Sequence, residues 1–156
     1  MEQPITFWSL ITSGKKIVIP TIQRDYAQGR IGKEYLRCNF LETIKSALLD
    51  VNKPLTMDFV YGADEETRFV PLDGQQRLTT LWLLHWYVAY KSEILEEVRE
   101  KLINFAYETR ISSTQFCEAL CSLMPQPIEI NNNKNDAIIP LKNWIMQQTW
   151  FYHHYK

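Results

Sequence analysis

The stretch QQRLTTLWLLHWYVAY, residues 75–90, limits the possible folds more than any other part of the chain. Leu78, Leu81, Trp82, Leu83, Leu84, Trp86, Tyr87 and Val88 cover most of the circumference once it is wound as a helix. A helix that is apolar nearly all round is central, so the other elements must pack about it. A short apolar run, RFVPL at 68–72, stands just before it, and the residues at the junction, Asp73, Gly74, Gln75, Gln76 and Arg77, are polar or turn-forming. The local order is strand, tight turn, buried helix.

That junction supports two accounts. Asp73 as N-cap, Gly74 in the turn and Gln76 three residues after the cap make a capping box, and nothing need bind there. Gln75 and Arg77, however, add an amide and a cation beside the unpaired N–H groups of a helix start, where the helix dipole favours an acid. A cation there makes sense with an anion opposite, which makes the turn a candidate phosphate or nucleotide site. Thr79 and Thr80 add hydroxyls one turn on.

Upstream, residues 5–12 read as a short helix closed by Ser13-Gly14. Lys16–Ile19 is a β-branched strand stopped by Pro20. The segment TIQRDYAQGRIG, 21–32, has no apolar period and gathers Gln23, Arg24, Asp25, Gln28 and Arg30, the composition of a binding loop. In 34–49, Phe40, Leu41, Ile44, Ala47 and Leu48 recur with the spacing of an amphipathic helix. Residues 57–61 and 68–72 read as two strands joined by the connector GADEET, with Pro71 putting the second at an edge or near its end. Helices are expected over 93–103, with Ile94, Leu95, Val98 and Leu102 inward, and from Ser112, capped with Gln115. FAYETR, 105–110, is extended or turn-like; 125–136 is a loop rich in proline and asparagine, and a last helix starts near Pro140.

At 156 residues the chain is about one domain long. The net charge of −1 gives no global case for nucleic-acid binding, although six cations (Lys15, Lys16, Arg24, Arg30, Lys33, Arg37) against Asp25 and Glu34 leave +4 over residues 15–37. Cys38, Cys117 and Cys121 show no metal-ligand spacing, and the last two, four apart on a helix, read as small hydrophobes. His153 and His154 are adjacent and point apart on a helix, and His85 has no partner at metal spacing. The sequence has no apolar run long enough to span a bilayer, so a cytoplasmic setting and no membrane partner are expected.

The string PLDGQQRLTTLWLLHWY, with IPTIQRDYAQGR, FLETIKSAL, DFVYG and YETR-SS, resembles the N-terminal domain of GmrSD-type modification-dependent restriction endonucleases. The resemblance runs in order through essentially the whole chain. It implies an α+β fold of ParB/sulfiredoxin-like type, a small mixed sheet packed with several helices around the helix that starts at DGQQR. It also implies a domain over 1–124, followed at 125–156 by a flexible loop and the start of a helical extension that continues in relatives.

In function the resemblance implies a module that binds and hydrolyses a nucleoside triphosphate with Mg2+, within a prokaryotic defence system against foreign, often modified, DNA. An HNH-type nuclease domain or subunit would be its partner, and no HNH-type run occurs in this chain. Asp73, Gly74, Gln75, Gln76 and Arg77 match the family turn, and Gln23 and Arg24 match its IPxxQR segment. Asp25, Arg30, Asp58, Tyr61, Gly62 and Arg110 lie in similar segments. On this basis Arg77 and the helix N-terminus would hold phosphate oxygens with Arg24, Arg30 and Thr79. Asp73 would hold the metal or orient a water, and Gln75 or Gln76 would position that water. Tyr26 and Tyr61 are candidates for stacking on the base. A non-catalytic DNA-sensing module and a DNA-nicking domain in which Asp25, Asp58 and Asp73 meet at a metal are the alternatives, and homo-oligomerisation is open.

Overall fold

The structure, a computed structural model, describes residues 5–21, 31–50, 52, 54–108, 111–122, 141–149 and 151. Among these the chain runs through α1 (Phe7–Ile11), β1 (Lys16–Ile19), α2 (Glu34–Leu49), β2 (Gly62–Asp64), β3 (Arg68–Pro71) and α3 (Gln75–Lys91). It continues through α4 (Leu95–Leu102), β4 (Phe105–Tyr107), α5 (Ile111–Ser122) and α6 (Leu141–Gln147). The class is α+β, with one four-stranded mixed sheet in the order β2-β3-β1-β4.

β1 lies between two parallel partners. Ile17 pairs with Phe69 of β3 on one side and with Phe105 of β4 on the other. Its alternation is that of a strand facing a core: Ile17 and Ile19 are buried while Lys16 is exposed. β2 and β3 form the antiparallel hairpin, in the register Gly62 to Pro71 and Asp64 to Phe69. A Cβ on Gly62 would lie 2.1 Å from the Val70 carbonyl oxygen, so this close approach of two backbones requires glycine.

The strand expected at 57–61 is therefore displaced: pairing begins at Gly62, and the connector shrinks from six residues to Glu65, Glu66 and Thr67. The register explains it. Pro71 ends the ladder as the last residue of β3, and the next two N–H groups, of Leu72 and Asp73, both turn onto the Tyr61 carbonyl at 2.9 and 3.2 Å. Residues 57–60 thus have no strand left to pair with. FAY, read as extended or turn-like, is the fourth strand.

α3 is the hub, with one qualification. Leu78, Trp82, Trp86 and Ala89 form its buried stripe, whereas Tyr87 and Val88 face outward, so burial is one-sided. Trp82 Nε1 donates to the Leu102 carbonyl at 2.8 Å and Trp86 Nε1 to that of Leu120, also at 2.8 Å. Leu102 is the last residue of α4, where carbonyls have no intrahelical partner, and Leu120 lies in α5. The two indoles thus tie three helices together, each bond contributing about 1 kcal/mol. Leu141 and Ile145 of α6 pack against the same cluster.

Smaller expectations also shift. α1 is capped by Thr6, whose hydroxyl accepts from Ser9 N. α5 starts at Ile111, which puts Ser112 inside its first turn instead of at the cap, and Ile94 stays exposed where α3 ends in a Schellman turn with Glu93 at φ 61°. On α2 the periodic stripe is present, but Ile44 is its buried member and Leu48 and Leu49 are exposed.

Candidate functional site

Because β1, β3 and β4 are parallel, their C-terminal ends meet at one edge of the sheet. β1 leads there into Pro20 and Thr21, β3 into Leu72 and Asp73, and β4 into Glu108. The chain leaves β1 between two neighbours reached by crossovers in opposite directions. In open sheets this is the place where connections part and ligands find a crevice.

The DGQQR turn sits at this edge, built differently from a capping box. The N-cap of α3 is Gly74, at φ 80° and ψ 5°, and it carries no side-chain cap. A Cβ there would come within 2.6 Å of Val60 Cγ2 and 3.3 Å of Arg77 Nη2, so space as well as dihedral angle demands glycine. Asp73 lies one residue earlier, and its carboxylate points along the helix to Arg77 instead of capping it. The reversal forced by the two bonds to the Tyr61 carbonyl displaces Asp73 from the cap position.

Arg77 links three segments. Nη2 donates to the Phe59 carbonyl and, at 3.4 Å, to Asp73 Oδ2, while Nη1 reaches Asp58 Oδ2 at 3.4 Å. Its Nε is buried and has no partner among the described residues. The Asp58 side chain is 93% exposed and that of Asp73 61%. Two carboxylates and one guanidinium leave the cluster at net −1.

Around this cluster, Gln75 Nε2 donates to the Pro71 carbonyl at 3.0 Å, which pins the first helical residue to the end of β3. Thr79 Oγ1 donates to the Gln75 carbonyl and lies 3.0 Å from Tyr107 Oη, joining α3 to β4. Thr80 is buried and donates to the Gln76 carbonyl at 3.0 Å. Asp58, Asp73, Gly74, Gln75 and Arg77 therefore gather at one point, while Tyr61 contributes its carbonyl and exposes its ring. Gln23, Arg24, Asp25, Tyr26, Gln28, Arg30 and Arg110 lie outside the described residues, as do His153 and His154.

The sequence did not signal Glu108. Its carboxylate accepts from both Thr21 N and Thr21 Oγ1 at 3.0 Å and so fixes the residue from which 22–30 depart. The Thr21 N–H is the main cause that holds this carboxyl below its ordinary range, the Thr21 hydroxyl adds to it, and Arg68 contributes through its charge. Thr114 closes the outer side of β4, its hydroxyl accepting from Tyr107 N and donating to the Tyr107 carbonyl.

Among the described residues the remaining histidine and buried cysteines are inert. Among the described residues no three His, Cys, Asp or Glu side chains gather as metal ligands, and no helix is long and apolar enough to cross a membrane. His85 bonds the Leu81 carbonyl through Nδ1 and packs against Phe7 and Trp8. Cys117 and Cys121 are buried; desolvation pushes the Cys121 thiol up to about 12 and that of Cys117 higher still, so neither is a ready nucleophile.

In comparison with known families, the model of the GmrSD restriction endonuclease N-terminal domain matches residues 7–149. The comparison with curated proteins gave no match, and neither did that with solved structures.

Proposed function

The chain belongs to the GmrSD restriction endonuclease N-terminal domain family, and from that premise we propose that it binds a nucleoside triphosphate with Mg2+ at the sheet edge and hydrolyses it. Family membership makes it a module of a restriction system that defends against foreign DNA. The nucleotide step, an HNH-type nuclease partner and a ParB/sulfiredoxin-like arrangement of the elements are the finer parts of this proposal.

One observation carries it: three parallel strand ends, a helix N-terminus and a guanidinium converge at the edge where such sheets take ligands. The leading amides of α3 and Arg77 would hold phosphate oxygens. Asp73 would supply a carboxylate to Mg2+, an ion that takes one or two protein carboxylates and completes its shell with phosphate oxygens and water. The local charge of net −1 favours a polyphosphate that arrives with its cation over a bare one. Gln75 or Gln76 would orient the attacking water, and Gln23, Arg24 and Arg30 would add contacts to the phosphates. Catalysis here is positioning and charge stabilisation, which suits a site made of amides, one arginine and one acid.

Calorimetry with magnesium and GTP, ATP, CTP or UTP tests this on the parent and on Arg77→Ala. Binding by the parent and at least a tenfold weaker binding by the variant are expected; no binding by the parent, or equal binding by the two, overturns it.

A further inference from the structure

The Arg77 cluster contains one acid that the proposed chemistry does not use. Asp58 lies on residues 54–60, which form neither helix nor strand, and its carboxylate is 93% exposed with one contact among the described residues, Arg77 Nη1 at 3.4 Å. Asp73 differs: it belongs to the turn itself, four residues from Arg77, and moves with it. Nη2 is held by the Phe59 backbone carbonyl, so rotation of the Asp58 side chain alone leaves the guanidinium in place. What Asp58 occupies is the one edge of the fork, Nη1, that it alone contacts among the described residues.

We infer that Asp58 is a displaceable counter-ion, standing where a polyphosphate oxygen would bind and setting the affinity of the turn for its anion through Arg77. The inference rests on the nucleotide reading above. A carboxylate and a phosphate oxygen present the same acceptor to a guanidinium, so the two compete for Nη1. A contact of 3.4 Å to an acid whose side chain is 93% exposed is weak enough to be exchanged. The pair thereby keeps the guanidinium neutralised in the free protein and makes the site selective for ligands with enough charge to displace an acid: triphosphates over monophosphates or chloride. Asp58 is a positioning residue and takes no part in bond making.

Removing any negative charge near the turn tightens anion binding a little, so the test must isolate the route through Arg77. Calorimetry with inorganic tripolyphosphate in the presence of magnesium would compare the full chain with Asp58→Asn, Arg77→Gln, the double variant and Glu66→Gln. The last removes an exposed acid on the β2–β3 turn, at the opposite end of β3, and reports the loss of an acid away from the Arg77 cluster, while the double variant isolates the route through Arg77. Asp58→Asn should tighten binding roughly two- to fivefold, the range spanned by an exposed ion pair. That gain should disappear in the Arg77→Gln background, and Glu66→Gln should leave affinity within error. Unchanged affinity in Asp58→Asn with a parent that binds, or a gain that survives in the double variant, overturns the inference and leaves the nucleotide reading intact. Failure of both parent and Asp58→Asn to bind tripolyphosphate overturns this inference, and nucleotide binding by the parent then decides the other.

Discussion

The two ends of α3 are built to different standards. Toward its middle and C-terminal half, Trp82 and Trp86 are buried at 0% and 3% exposure, and their N–H groups reach carbonyls of α4 and α5 at 2.8 Å. At its N-terminus Arg77 makes ion-pair contacts of 3.4 Å to two exposed acids and leaves a buried Nε without a partner among the described residues. One end has satisfied its polar groups inside the protein. The other pairs its guanidinium with exposed acids at the long end of hydrogen-bond range, which separates what keeps the fold together from what stays exchangeable at its surface.

This contrast predicts a gradient of effects. Trp82→Ala should be the most damaging change, costing about 3–5 kcal/mol in chemical denaturation through a cavity and an orphaned Leu102 carbonyl. A loss below about 1 kcal/mol would mean that the hub is not where the packing shows it. Gly74→Ala should cost less, about 1–3 kcal/mol, from an alanine at φ 80° and its clash with Val60. If it proved as costly as Trp82→Ala, the turn would be part of the stabilising core and the comparison would fail.

The smallest effect lies at Glu108. The folded protein holds this carboxyl below its ordinary value of 4.5, so the unfolded chain takes up the proton first. Its contribution is therefore fully present above that value and is lost as the pH falls below it, through the native titration. Glu108→Gln should lower the thermal midpoint slightly at pH 7, and the gap to the parent should narrow as the pH falls below 4.5; a gap that does not narrow in acid would show that the tether to Thr21 does not depend on charge.

Much of this gradient could be seen in the sequence because it is local. β-branched residues followed by Pro20 delimit β1, and the start of α3 at Gln75 follows from a glycine after an apolar run. What the sequence concealed depends on register and distance. The pattern MDFVY has strong strand character, yet it lies beyond the reach of a hairpin whose ladder stops at Pro71. Asp73 and Gln76 have capping-box spacing, but the bonds to the Tyr61 carbonyl move the cap to Gly74. The meeting of Asp58 with Arg77, and of Glu108 with Thr21, spans 19 and 87 residues of chain, a separation over which no periodicity carries information. On α2 the stripe could be read correctly while its burial could not, since a pattern names a face and not the element that covers it.

The placement of β1 also sets an order of assembly. Its partner on one side, β3, follows within about fifty residues, but Ile17 must wait for Phe105, 88 residues later, before its other side is paired. At ribosomal speeds of about 5–20 residues per second, that wait is roughly 4–18 s. During it the nascent hairpin and β1 can already be joined while one flank of β1 stays open. The sheet edge that gathers Thr21, Asp73 and Glu108 thus closes only once α4 has delivered β4 to its place, and the hub that supports it is completed later still, when α5 brings the Leu120 carbonyl to Trp86.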